Sequence, residues 1–163
     1  MVTVLLLAGG RSRRMGIDKA LMRGGVERLR QLAIQCHADR IVTLCGAKER
    51  ERMFKGEVWA DPLACDTLSD VIGWALSSIE GDVQLICCDA FNLEKEGLQR
   101  LLSSGGGVPV DEEGNRQPLL ANCPKEWTMS KSNGTVSSLF QDLESLDLGL
   151  LSRQMKNFNS PVD

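Results

Sequence analysis

Between Leu5 and Leu21 the chain reads LLLAGGRSRRMGIDKAL, an apolar run broken by a glycine pair and followed by three arginines and a lysine. Gly9 and Gly10 allow a sharp turn in which backbone N–H groups approach an anionic ligand closely. Arg14 and Lys19 can then set charge against phosphates, the arginine as a planar fork and the lysine as a point charge. Arg11 and Arg13 read as solvent-facing. The stretch matches neither the Walker A pattern nor the G-x-G-x-x-G dinucleotide pattern. A second candidate is Asp89, directly after the apolar VQLICC. If it faces bound phosphates, its hard oxygens suit Mg²⁺, which is commonly held by one or two carboxylates plus phosphate oxygens. Cys87 and Cys88 are soft donors and read as core. On residue types alone a plain basic turn and a helix-capping aspartate remain open alternatives.

Elements of regular spacing must hold these groups. Val2 to Leu7 is a continuous apolar run that suits a strand buried on both faces. Val26, Leu29, Leu32, Ala33 and Cys36 predict a helix over 25–37, and RIVTLC from Arg40 predicts the second strand. Residues 47–54 read as a short polar helix and 57–60 as a third strand ending at Asp61-Pro62. A helical stripe runs from Leu68 to Ile79, opened by Thr67 and Asp70 as a capping box. Val83 to Cys88 is another buried-type strand, followed by a helix near 93–103. GGGVPVDEEGNRQPLLANC reads as two antiparallel strands around a Glu113-Gly114-Asn115 turn, and a further helix is expected over 135–144. Strands alternating with helices predict βαβ units, a mainly parallel sheet and one α/β domain over 1–163. In such sheets ligands sit outside the carboxyl ends of the strands at a topological switch point. The loop from Ala8 to Lys19 and the residue Asp89 both fall there.

Composition narrows the class. A net charge of −3 over 163 residues makes the basic cluster local and argues against a general nucleic-acid or membrane-surface binder. No apolar run is long enough to span a bilayer, and Met1 leads straight into a strand without a secretory signal. The six cysteines contain no C-x-x-C pair and His37 is the one histidine, so reduced, mostly buried thiols in a cytoplasmic protein are expected rather than disulfides or zinc. His37 itself reads as an ordinary surface or core residue.

The stretch LAGGRSRRMGIDKAL closely resembles the signature L-A-G-G-x-S-x-R-M-G-x-D-K-A-L of the molybdenum cofactor guanylyltransferases, also called molybdopterin-guanine dinucleotide biosynthesis protein A. CCDAF is similar to that family's cysteine-aspartate segment, GNRQPLLANC to its Gln-Pro-Leu strand, and NFNSP to its Asn-x-Asn-Thr-Pro element. The resemblance implies a three-layer Rossmann-like nucleotidyltransferase fold and transfer of GMP from Mg-GTP to molybdopterin with release of pyrophosphate. It places Leu7, Ala8, Gly9, Gly10, Arg14, Lys19 and Asp61 around the nucleotide and Asp89 on Mg²⁺. Arg14, Lys19 and Asp89 become the catalytic set, and Asn157 and Asn159 the acceptor-binding pair. GTP, molybdopterin and cofactor-delivery proteins are the implied partners. In related cytidylyltransferases the second glycine of the pair is commonly alanine, so Gly10 points toward GTP. Arg116, Gln117, Asn122 and Lys131 are further polar candidates for the acceptor.

The chain departs from the family pattern in three places. DTLSD, from Asp66 to Asp70, stands where relatives carry Gly-Pro-Leu-x-Gly at the nucleotide. Ala90 and Phe91 replace the proline after the metal aspartate, and the sequence ends four residues beyond Asn159. Two carboxylates near a triphosphate would repel it, unless Asp70 is occupied in capping its helix. The departures leave a CTP or sugar-phosphate nucleotidyltransferase, or a non-catalytic nucleotide binder, as the alternatives.

Overall fold

A computed structural model describes residues 1–9 and 19–158, with Lys19 described in its backbone alone. The strands are β1 (Val2–Leu7), β2 (Arg40–Gly46), β3 (Glu57–Ala60), β4 (Asp82–Cys87), β5 (Val108–Pro109), β6 (Asn122–Cys123) and β7 (Ser145–Leu146). The α-helices are α1 (Gly25–Gln35), α2 (Leu68–Ser78), α3 (Lys95–Leu102) and α4 (Val136–Leu139). The main sheet has the order β3-β2-β1-β4-β6. Its first four strands are parallel and β6 runs antiparallel against β4.

An unbroken apolar strand is stable only when both of its faces are covered. In β1 the side chains divide between two cores. Val4 and Leu6, with Ala8 beyond, pack among Val26, Leu29 and Ala33 of α1 and Leu98 and Leu101 of α3. Leu5 and Leu7 pack on the other side among Val71, Ile72 and Ala75 of α2 and Leu139 of α4. The result is the three-layer, mainly parallel α/β arrangement expected from the sequence. All six cysteines are free thiols. Among the described residues no helix is long and apolar enough to cross a membrane.

Two expectations need correction. The stretch from Gly105 to Cys123 keeps the expected antiparallel course around its turn but not two regular strands: β5 pairs in parallel with β7, and the hairpin ladder is reduced to two antiparallel bridges, Gly107 with Asn122 and Val110 with Arg116. Prolines explain this, because Pro109 brings no N–H to a ladder and Pro118 opens a short 3-10 turn in place of a second strand. The turn itself is closed by the Asp111 carboxylate, which accepts from the N–H groups of Glu113 and Asn115. The helix expected over 135–144 ends at Leu139. Arg116 donates to the carbonyls of Phe140 and Leu143 at 2.9 and 3.0 Å, and a β-strand begins at Ser145. His37 stops α1 in a left-handed conformation, φ 62°, with its side chain exposed.

The capping box at α2 is present as expected. Thr67 Oγ1 accepts from the Asp70 N–H at 3.2 Å, and the Asp70 carboxylate accepts from the N–H groups of Thr67 and Asp66, both at 3.1 Å. These bonds, that from Thr67 N–H foremost, hold the Asp70 carboxyl below its ordinary range. Asp70 therefore supports folding above the usual carboxylate pKa of about 4, and that support fades as pH falls through its lowered folded value. Melting curves should show the stability gap between wild type and Asp70→Ala closing on acidification from about pH 6 to about pH 3. A constant gap would mean the carboxylate is not the capping group.

Candidate active site

The order β3-β2-β1-β4 places the topological switch between β1 and β4, where connections leave in opposite directions. The two strands are in register from Val2 opposite Asp82 to Leu7 opposite Cys87. One residue further, the Cys88 N–H donates to the Leu7 carbonyl at 3.1 Å. Gly9 and Asp89 thus leave the sheet from adjacent strand ends, as the sequence led one to expect. Gly10 and Arg14 lie outside the described residues. Lys19 opens the 3-10 segment Lys19–Gly24 that leads into α1.

Gly9 is there for close packing of backbone on backbone. A Cβ on it would stand 2.6 Å from both the Cα and the N of Gly46. Gly46 is itself left-handed, φ 83°, at an irregularity where β2 leaves its register with β3. Its carbonyl accepts from the Asp61 N–H at 2.8 Å. The ends of β1, β2 and β3 are tied in one row by these contacts. Arg50 completes the tie: its Nη2 donates to the Ala8 carbonyl and its Nε to the Cys45 carbonyl, both at 2.8 Å. Arg50 was not singled out from the sequence, where KERERM looks like any solvated polar helix.

Asp89 is buried, with 7% of its surface exposed. Beside it the Cys87 thiol is pushed well above its ordinary range, first by burial and then by the negative charge of Asp89 and a hydrogen bond to it. Burial of that kind disfavours the thiolate that a soft metal would require. Among the described residues no three His, Cys, Asp or Glu side chains form a ready-made metal cage. One buried carboxylate, without thiolate competition, fits a hard divalent cation that completes its shell with nucleotide oxygens.

The loop after Asp89 is fixed from α1. Arg28 donates to the carbonyls of Leu93 at 2.8 Å, Ala90 at 3.0 Å and Phe91 at 3.4 Å. No signal in the sequence marks this clamp, because an arginine at that helical spacing looks solvent-facing. Arg28→Ala should cost about 2 kcal/mol and lower Tm by about 4–8 °C, since three carbonyls lose their donor. Turnover should fall while nucleotide affinity changes little. Calorimetry and steady-state rates on the same preparation check both parts.

The carboxylates of the second loop separate into roles. Asp70 is spent on its cap, as described. Asp61, at the end of β3, has its carboxyl pushed up by partial removal from water. The Cys65 thiol is raised by burial first and then by Asp70, Asp61 and Asp66, so these three charges surround one short turn. The acceptor candidates also divide. Arg116 is consumed by the carbonyls that end α4, and Gln117 Nε2 donates to Asp111 at 2.8 Å. Asn122 donates to Gln84 Oε1 at 2.9 Å inside the sheet. All three serve the fold. Lys131 lies beside Ser132, whose hydroxyl meets Ser69 at the start of α2, on the other layer from α3. Asn157 keeps its side-chain oxygen buried without a hydrogen-bond partner among the described residues. Asn159 lies outside the described residues.

Its segment is anchored by Gln154. The carboxamide oxygen accepts from the N–H groups of Glu94 at 2.9 Å and Gly97 at 3.1 Å, capping α3, which has no side-chain cap of its own. The metal-candidate loop and the Asn157 segment are therefore packed on the two ends of one short connection.

A sequence model of the MobA-like NTP transferase domain matches residues 4–143. A molybdenum cofactor guanylyltransferase of Pseudomonas putida KT2440 is 28% identical, over 98% of this chain and 93% of its own. A solved protein of Aquifex aeolicus superposes with a TM-score of 0.75 at 20% identity, covering 97% of this chain and 93% of its own. Molybdopterin-guanine dinucleotide biosynthesis protein A of Archaeoglobus fulgidus superposes with a TM-score of 0.65 at 17% identity, covering 98% and 93%.

Proposed function

Because the chain belongs to the MobA-like NTP transferase family and is a nucleotidyltransferase, we propose that it transfers GMP from Mg-GTP to molybdopterin in molybdenum cofactor biosynthesis. The observation that carries this reading is the pairing at the sheet's switch point. A glycine turn and a buried carboxylate leave neighbouring strands at the same level. The likeness to the Pseudomonas enzyme along nearly the whole chain supports the choice of substrates.

In this reading the backbone at Ala8, Gly9 and Gly10 turns around the triphosphate, with Leu7 closing the strand beneath it. Arg14 and Lys19 hold phosphate oxygens, and Asp61 lies toward the nucleoside. Asp89 is the carboxylate that holds the divalent metal, a requirement general to this family's transferases. Magnesium, when bound, supplies neutralisation of charge on the phosphates. An oxygen of the acceptor's terminal phosphate attacks the α-phosphorus, and the bond from that phosphorus to the bridging oxygen breaks as pyrophosphate leaves. The nucleophile is already ionised at neutral pH, so no general base is needed and His37 has no part. Positioning and charge stabilisation carry such a transfer. Asn157 and Asn159 are assigned to the acceptor.

Calorimetric titration with GTP and with CTP, each with and without Mg²⁺, tests the nucleotide. Magnesium-dependent binding of GTP in preference to CTP is expected, and Lys19→Ala should weaken it about tenfold or more. Preference for CTP would make the chain a cytidylyltransferase. Binding of neither would show that the carboxylate-rich turn from Asp61 to Asp70 has closed the pocket.

A further inference from the structure

Beyond the loop of Asp89 two cations meet on two rings. The Phe91 and Phe158 ring centroids are 5.4 Å apart and tilted by 39°. The Arg23 guanidinium lies 5.2 Å from the Phe91 centroid and 5.8 Å from that of Phe158. The Lys156 ammonium lies 5.1 Å from the Phe158 centroid. Among the described residues neither cation has a carboxylate partner. Arg23 is also one of two non-glycine residues there with positive φ, at φ 48° and ψ 49°. Holding a residue with a Cβ in that region costs free energy that the surroundings must supply. Two glycines with positive φ follow it, and a Cβ on Gly25 would collide with the Ala20 carbonyl oxygen. The backbone is thus built to deliver Arg23 to the rings.

We infer that Arg23 and Lys156, seated on the Phe91–Phe158 pair, recognise the acceptor as a flat heterocycle that carries an anionic group. The inference rests on the transferase reading above in one respect: the glycine loop and Lys19 take the nucleotide's phosphates, so this second cation pair serves the other substrate. Two cations gathered on one ring pair, without carboxylate partners among the described residues, favour an anionic ligand beside them. The rings are packed on each other, so a heterocycle does not enter between them and meets the pair from outside, beside the two cations. The buried Asn157 oxygen, between Lys156 and Phe158 in the chain, has no donor among the described residues and suits an N–H of such a ring. The Phe91 carbonyl is held by the Arg28 clamp, and Gln154, two residues before Lys156, is held at the start of α3.

The probe is molybdopterin, followed by its own fluorescence on titration with the full-length protein. Arg23→Gly suits the left-handed backbone and removes the cation without disturbing the turn; Lys156→Ala is the second variant. Each should weaken molybdopterin binding about tenfold while calorimetric GTP affinity stays at the wild-type value. Unchanged molybdopterin affinity in both variants, or a matching loss of GTP affinity, would overturn the proposal. So would a wild-type protein that binds no molybdopterin. Pyrophosphate release is measured in parallel. A wild type that binds molybdopterin through these cations but releases no pyrophosphate would sustain the site and refute the transfer reaction.

Discussion

Replacing Asp89 by asparagine is expected to cut metal-dependent nucleotide transfer by about three orders of magnitude, roughly 4 kcal/mol of transition-state stabilisation. The change keeps the shape of the side chain and removes the ionised oxygen that a hard cation requires. Folding should be little affected. Asp89 is buried beside a protonated thiol, and an amide oxygen can accept from that thiol as the carboxylate does. The measurement is pyrophosphate release against Mg²⁺ concentration, with Tm taken in the same buffer. A variant that keeps wild-type rates would remove Asp89 from the reaction. A variant that loses rate only through unfolding would assign it to structure.

Gly9→Ala should give the second-largest effect, through packing and not charge. The added methyl would stand 2.6 Å from two backbone atoms of Gly46, and backbone cannot swing aside as a side chain can. Either β2 yields or the loop after β1 is displaced. Overpacking of this kind costs about 2–3 kcal/mol, a fall of about 5–10 °C in Tm. The displaced loop should also bind GTP at least about tenfold more weakly, which is ~1.4 kcal/mol. Gly73→Ala is the control. It lies within α2 with nothing within 4 Å of a new Cβ, so it should stabilise by about 0.5–1 kcal/mol. Equal effects of the two substitutions would contradict the close approach of Gly9 to Gly46.

The layer order and the switch point were legible because they depend on local signals. Apolar runs such as VTVLLL and VQLICC state that both faces are covered, and the stripe from Leu68 states which face of α2 turns inward. Asp70 was legible in the same way, as half of a capping box. The devices that stiffen the site were not. Arg28, Arg50 and Gln154 act across 62, 42 and 60 residues, on backbone carbonyls and N–H groups that no sequence pattern names. The region from Gly105 to Leu146 was legible only in part, its antiparallel turn and its helix but not their extent, for a related reason. Its strands are two residues long and their partners are chosen by tertiary contacts, with Arg116 ending a helix that periodicity alone would have prolonged.

The capping of α3 by Gln154 has a consequence for the order in which the molecule is made. A chain emerging from the ribosome presents residues 94–97 long before residue 154 exists, so the amino end of α3 must wait for a partner from near the far end. Contacts so distant in sequence form late in folding. Gly9, Gly46 and the pairing of β1 with β2 need no residue beyond the first third of the chain and can settle before the cap forms. The loop of Phe91 and the segment of Asn157 are joined later, when residue 154 has been made and its carboxamide reaches the helix.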